Sequence, residues 1–247
     1  MRNISTINCM EYTTKISIVT ATCNAAEHLP RLIESLRSQT DKDFEWVVAD
    51  GASADGTLEL LQSVNDLKIV ISSQPDFGIY DALNRAIKLS TGEYYIVAGA
   101  DEIFNSDAIA NFRLAIERSG ADIVAARAMY GVKCMKIKKG PSWLFGQFSF
   151  IAAHTLGTAF RKELHLAYGY YSRQYPIAAD QFFVMKACLG GASRYAGDFV
   201  AGEIGQGGVS STDRIGNATE VFRVQLAHGR SVFIQTLLLL LRLLRAK

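Results

Sequence analysis

The feature that most constrains this chain is a rhythm in its first 120 residues. Short β-branched runs alternate with segments whose apolar residues recur at helical spacing. Residues 16–20 read as a buried strand, and Leu29, Leu32, Ile33 and Leu36 predict a helix over about 26–38. Residues 44–49 form a second strand that runs into the turn-rich stretch 50–57, where Thr57 caps a short helix through Val64. A third strand covers 67–71, and 78–90 is helical with Ile79, Leu83, Ala86 and Ile87 on one face. Thr91-Gly92 ends that helix, 94–97 is a fourth strand, and 107–119 is a further helix. This alternation predicts parallel βαβ units with helices on both faces of the sheet. After about residue 122 the pattern becomes irregular. The chain therefore reads as a nucleotide-type half, about 15–120, followed by an acceptor or regulatory half, about 121–215.

Composition narrows the classes. With 247 residues, 49% hydrophobic content and a net charge of +2, the chain is too apolar and too nearly neutral for disorder. Its 20 glycines, 4 prolines and 4 cysteines exclude a collagen or a disulfide miniprotein. Cys9, Cys23, Cys134 and Cys188 form no C-x-x-C pair, so reduced thiols are expected. The tail 1–14 is polar and has no apolar core of a signal peptide. Together these features predict a cytoplasmic protein.

Charge is divided unevenly. No acid lies between Asp122 and Glu163, a stretch holding Arg127, Lys133, Lys136, Lys138, Lys139, Arg161 and Lys162 beside Trp143, Leu144, Phe145, Phe148 and Phe150. Such a stretch reads as a surface for an anionic lipid or a phosphate-bearing substrate, or as a solvated loop. A near-balanced total argues against nucleic acid as a partner. Residues 216–247 predict a basic amphipathic helical region. Its apolar run, 232–241, is far short of the roughly 20 residues that span a bilayer, and Arg242, Arg245 and Lys247 close it. That helix suits the anionic inner face of a plasma membrane, or docking on the domain's own core or on a second copy.

In an open α/β sheet, ligands bind at the carboxyl ends of parallel strands. Thr20, Thr22 and Asn24 follow the first strand, and Asp50, Ser53 and Asp55 the second. Asp76 and Gly78 follow the third, and Asp101 and Glu102 the fourth. Carboxylates gathered there suit a hard divalent cation and a diphosphate. No G-x-G-x-x-G follows a strand, and residues 51–57 read G-x-x-x-x-G-T without the lysine of a P-loop.

Residues 16–24 (ISIVTATCN), 47–57 (VVADGASADGT), 74–84 (QPDFGIYDALN) and 90–95 (STGEYY) resemble family 2 glycosyltransferases of the GT-A fold. Within that family they are similar to bacterial surface-polysaccharide enzymes of the colanic-acid type. His154, Phe160-Arg161, residues 177–183 (IAADQFF) and 207–211 (GGVSS) extend the resemblance to about 15–211. It implies an α/β, GT-A-type Rossmann-like sheet, mixed and mostly parallel, flanked by helices.

By position, Thr20 and Thr22 would line a nucleoside pocket together with Asn24. Asp50 would accept from a uracil-type base, with Ser53 beside it. Asp76, Gly78, Asp81 and Asn84 would sit near the ribose and diphosphate, where free helix N–H groups favour anions. Helix-end capping is the simpler role for Asp81 and Asn84. Where the family has paired acids after the fourth strand, this chain has Gly99-Ala100-Asp101-Glu102. Asp101 matches the acid that touches Mg²⁺ or Mn²⁺, with Glu102 and His154 as further candidate ligands. Asp180 matches the general base, or is a helix cap. Residues 207–211 resemble a loop that closes over the donor.

The resemblance implies an inverting transferase that moves a sugar from a nucleotide-diphospho-sugar, a UDP-sugar by expectation, to a lipid-linked or polysaccharide acceptor. A sugar-nucleotide nucleotidyltransferase is the competing enzyme, although residues 21–27 lack the basic loop that would bind a triphosphate. A non-catalytic sugar-nucleotide-binding protein is the third reading.

Overall fold

In the computed structural model, the structure describes residues 14–205 and 212–246. The first half follows the predicted rhythm. Strand β1 (Ile16–Thr22), helix α1 (Leu29–Arg37), β2 (Phe44–Asp50), α2 (Thr57–Gln62), β3 (Ile69–Ser73), α3 (Ile79–Leu89) and β4 (Tyr94–Val97) come in that order. They form a parallel sheet in the order β3-β2-β1-β4. Alternation along each strand sends side chains to opposite faces. Ile16, Ile18, Trp46, Val48 and Ile96 pack with α1 and with α4 (Ala108–Ser119), whereas Val19, Val47, Tyr95 and Val97 pack with α3.

The irregular half extends the same sheet. Its elements are β5 (Ile103–Phe104), β6 (Ile123–Tyr130), β7 (Lys133–Met135), α5 (Ser142–Phe145), a 3-10 turn (Gly146–Ser149), β8 (Thr158–Arg161), α6 (Leu164–Tyr168), α7 (Ala179–Leu189) and β9 (Arg194–Glu203). β8 inserts between β4 and β6 and runs antiparallel to both. β9 then lies parallel to β6, and β5 pairs antiparallel with β9. The result is a mixed α/β sheet of nine strands flanked by helices, as expected.

α6 and α7 bury an aromatic cluster over β4 and β8. His165 stacks on Tyr170 and Phe183 at 4.6 and 4.4 Å, and its Nε2 meets the Tyr95 hydroxyl at 2.8 Å. Burial lowers the His165 pKa to about 4, so the ring is neutral near pH 7.

The C-terminal region is two helices, α8 (Arg214–Ala227) and α9 (Val232–Ala246), where the sequence predicted one helical region from 216. Asp213 caps α8 by accepting from the Gly216 N–H at 2.7 Å. α8 docks on the domain. Glu220 is buried and accepts from the N–H groups of Ile177 and Ala178, and Val224 is fully buried. α9 is tied to α5, because Gln235 Nε2 donates to the Trp143 carbonyl at 2.7 Å. Its other side leaves Phe233, Leu237, Leu240, Leu241 and Leu244 exposed. Among the described residues, no helix is long and apolar enough to cross a membrane.

Candidate active site

The loops after β1 and β2 are stitched into one unit around Asp50, which is fully buried. Oδ1 accepts from Thr22 Oγ1 at 3.0 Å and Ser53 Oγ at 2.5 Å. Oδ2 accepts from Ser53 N at 3.0 Å and Ser73 Oγ at 2.7 Å. Burial alone would raise this carboxyl's pKa, but the four donors outweigh it and hold the group below its ordinary range. Asn24 extends the unit. Its N–H donates to Ser53 Oγ, and its side-chain oxygen accepts from Ala54 N at 3.0 Å. Asp55 and Thr57 close the loop further, with Thr57 Oγ1 accepting from Ala25 N at 2.8 Å.

A carboxylate offers about four acceptor positions, and Asp50 fills all of them internally. A base N–H reaching Asp50 must therefore displace a hydroxyl of Thr22, Ser53 or Ser73. Thr20 lies deeper than the expected nucleoside pocket. It is fully buried and accepts from the Trp46 indole at 3.0 Å.

The start of α3 is organised by Asp76, which accepts from the Gly78 N–H at 2.9 Å. Gly78 has φ +107°, a conformation that favours glycine. Asp81 accepts from Phe77 N at 3.3 Å and pairs with Arg173. Asn84 is engaged at both ends of its amide, donating to the Tyr171 carbonyl at 2.8 Å and accepting from Tyr171 N at 3.0 Å. It clamps the second half onto the first. Arg85, which sequence reasoning passed over, donates to the Asp50 carbonyl at 2.7 Å and places a cation at the strand ends.

The three candidate metal ligands do not converge. Asp101 is half-buried after β4, and its carboxyl packs against the backbone after β9, where it fills the space a Cβ on Gly205 would need. Glu102 turns inward and accepts from Gly99 N at 2.9 Å and Thr155 Oγ1 at 2.5 Å, and burial raises its pKa to about 7. His154 is buried in the aromatic cluster, where its Nε2 meets the Tyr171 hydroxyl at 2.7 Å. Burial lowers the His154 pKa, with the Asp180 charge pulling it the other way. No group of three or more His, Cys, Asp or Glu residues that could hold a metal occurs among the described residues. Of the three, Asp101 is the residue that would hold a Mg²⁺ or Mn²⁺ ion, which would there neutralise charge on a bound diphosphate.

Asp180 is the second residue of α7, and Glu220 rather than Asp180 accepts from the Ile177 and Ala178 N–H groups that lead into the helix. The Asp180 carboxylate instead accepts from Tyr80 Oη at Oδ1 and from Gln147 Nε2 at Oδ2, both at 2.9 Å. Burial, with the Asp180 charge adding to it, raises the Tyr80 pKa well above normal, so the phenol remains an O–H donor. Among the described residues each Asp180 oxygen takes one side-chain donor, fewer than the two it can accept, and the residue is partly exposed. Tyr80 lies on α3, just after the β3 strand end, so this open carboxylate stands beside the nucleotide-type half. Tyr80 belongs to the recognised stretch 74–84 and could have been singled out there. Gln147 carries no signal in the sequence. The stretch 207–211 lies outside the described residues.

The strand-end loops anchored by Asp50 lie on the same half of the sheet as Tyr80, whose hydroxyl donates to Asp180. A model of the family described as Glycosyl transferase family 2 matches residues 17–171, and the chain belongs to that family. It is a glycosyltransferase, and the nucleotidyltransferase and binding-protein readings give way to that assignment. A glycosyltransferase of Mycobacterium bovis named for PGL/p-HBAD biosynthesis is 29% identical over 205 residues, covering 79% of each chain. Among solved structures, S. aureus TarS 1-349 in complex with UDP-GlcNAc superposes with a TM-score of 0.72 at 21% identity, covering 90% of this chain and 69% of that one. The mannosyltransferase PcManGT from Pyrobaculum calidifontis, in complex with GDP-Man and Mn2+, gives 0.67 at 19% identity, covering 88% and 65%. The structural likenesses establish the shared fold.

Proposed function

We propose that this chain is an inverting glycosyltransferase that moves a sugar from a UDP-sugar to a lipid-linked or polysaccharide acceptor in bacterial surface-glycan synthesis. The observation that carries the reading is the contrast between the two carboxylates. Asp50 has no acceptor position left and stiffens the donor loops. Asp180 is held from both oxygens, yet each accepts only one of the two bonds it can take, which leaves it able to accept from an acceptor hydroxyl. As that hydroxyl attacks the anomeric carbon, Asp180 takes its proton. Tyr80 and Gln147 fix the carboxylate's direction, and the α3 N-terminus faces the diphosphate. A cation at Asp101 would supply neutralising charge for the departing nucleoside diphosphate. The relative named for PGL/p-HBAD biosynthesis supports a surface-glycan acceptor, and the neighbour holding UDP-GlcNAc supports a UDP donor.

Calorimetry tests the donor and metal assignments together. UDP should bind at least tenfold more tightly with Mn²⁺ than without, GDP should bind more weakly than UDP, and Mn²⁺ alone should give no binding heat. Tighter GDP binding would overturn the donor. Tight Mn²⁺ binding without nucleotide would overturn the single-carboxylate site.

The protein is further proposed to work at the inner face of the plasma membrane, attached peripherally through α9. Phe233, Leu237, Leu240, Leu241 and Leu244 repeat at helical spacing and are exposed, and no acid follows Glu220 in the sequence. An apolar stripe flanked by cations matches an anionic bilayer surface. The protein should sediment with phosphatidylglycerol vesicles and not with phosphatidylcholine, and F233D/L240D should abolish this. A dimer that dissociates in F233D/L240D, without vesicle binding, would assign the stripe to a second copy instead.

A further inference from the structure

A cavity of about 340 Å³ opens behind the base. It lies between α5, the 3-10 turn, the start of α7 and the two C-terminal helices. Its size is within the range of small-molecule sites. Lys138, Arg214 and Arg242 line it, no lining residue is acidic, and Phe145 and Phe148 supply an apolar wall. None of the three cations makes an ion pair among the described residues. Lys138 instead lies over the rings of Phe145 and Phe148, at 5.2 and 5.1 Å.

Two polar groups here are unanswered. Among the described residues, Arg242 Nη1 is buried without a partner, and so is the Nε2 of Gln181, a residue only 5% exposed. Buried donors are normally satisfied, and buried cations are normally paired. Both residues line the cavity, so an anionic acceptor of hydrogen bonds seated against them would answer these donors after a small side-chain turn. Burial also lowers the Arg242 pKa, the direction expected of a guanidinium without a counter-charge.

The cavity adjoins the chemistry. Gln181 follows Asp180 directly, and Gly146, another lining residue, precedes Gln147, which holds Asp180. Arg242 belongs to α9, the helix that carries the exposed apolar stripe. One wall thus leads to the base and another to the proposed membrane face.

We propose that this cavity binds the phosphate groups of an amphiphilic, lipid-linked acceptor, placing its sugar hydroxyl at Asp180. The inference rests on Asp180 being the base. Arg242, Arg214 and Lys138 take the phosphate oxygens, with Gln181 as a further donor. The rings of Phe145 and Phe148 face the first carbons of the lipid, and the remainder of the chain follows α9 into the bilayer.

The test uses the full chain and three probes: farnesyl diphosphate, inorganic pyrophosphate and farnesol. Trp143, next to the cavity on α5 and one of only two tryptophans, reports binding by fluorescence. Farnesyl diphosphate should bind at least tenfold more tightly than either other probe. R242Q and R214Q should each weaken it at least tenfold and leave UDP affinity, measured in parallel, unchanged. Pyrophosphate binding as tightly as farnesyl diphosphate would overturn the lipid assignment, and unchanged binding in both variants would overturn the site. Farnesyl diphosphate binding in a protein that fails to bind UDP would remove the donor reading and leave the cavity assignment standing.

Discussion

Asp180→Asn should lose sugar transfer by about 10²- to 10⁴-fold in kcat, the range of general-base contributions, while folding normally and binding UDP as the wild type does. The local hydrogen bonds explain why the fold survives. The substituted amide can still accept from Tyr80 through its oxygen. Its nitrogen would oppose Gln147 Nε2, but Gln147 Oε1 is buried without a partner among the described residues, so turning the glutamine amide over restores a bond. The substitution therefore removes the base with little else. Y80F offers a graded control. Asp180 keeps its charge and loses one orienting donor, so kcat should fall less than in D180N. Steady-state transfer assays and thermal unfolding check both. Unchanged kcat in D180N would remove Asp180 from the chemistry.

Asp50→Ala should have the largest effect on stability together with donor binding. It leaves Thr22, Ser53 and Ser73 without their shared acceptor in a buried site. Each buried donor left unmet costs about 1–3 kcal/mol, although the hydroxyls can turn to other partners. A net loss of about 3 kcal/mol is expected, with UDP binding falling at least tenfold because the loops after β1 and β2 lose their common anchor. Asp50→Asn should be milder. The hydroxyls of Thr22 and Ser53 can rotate to accept from the new amide, while its oxygen still meets the Ser53 N–H. Denaturant titration and calorimetry on both variants separate the fold from the site. A D50A protein with wild-type stability and UDP affinity would contradict the anchoring role.

What was legible in the sequence follows the range of the interactions. The βαβ half was readable because each element carries its own apolar period, and the observed strands match it within a few residues. The second half was not. β8 is four residues long, and its place between β4 and β6 depends on pairing with strands far away in sequence. The same limit governs the site. The residue types at the strand ends pointed to a ligand, but long-range partners set their directions. Glu102 is drawn inward by Thr155, His154 is held by Tyr171, and Asn84 is bound to the Tyr171 backbone 87 residues away. Asp180 stood out by its place in the motif order, whereas Gln147, which donates to it, lies in a stretch with no motif. In the tail, the leucine run announced a helix, and the buried Glu220 and Gln235 decided which sides are covered.

The central claim is that Asp180 activates an acceptor hydroxyl for direct displacement at the anomeric carbon. The anomeric configuration of the product tests it most directly. Wild-type protein, supplied with a UDP-α-sugar, Mn²⁺ and a lipid-phosphate-linked acceptor, should yield a β-linked product by proton NMR, formed at least a hundredfold more slowly by D180N. An α-linked product would contradict single displacement and with it the role given to Asp180.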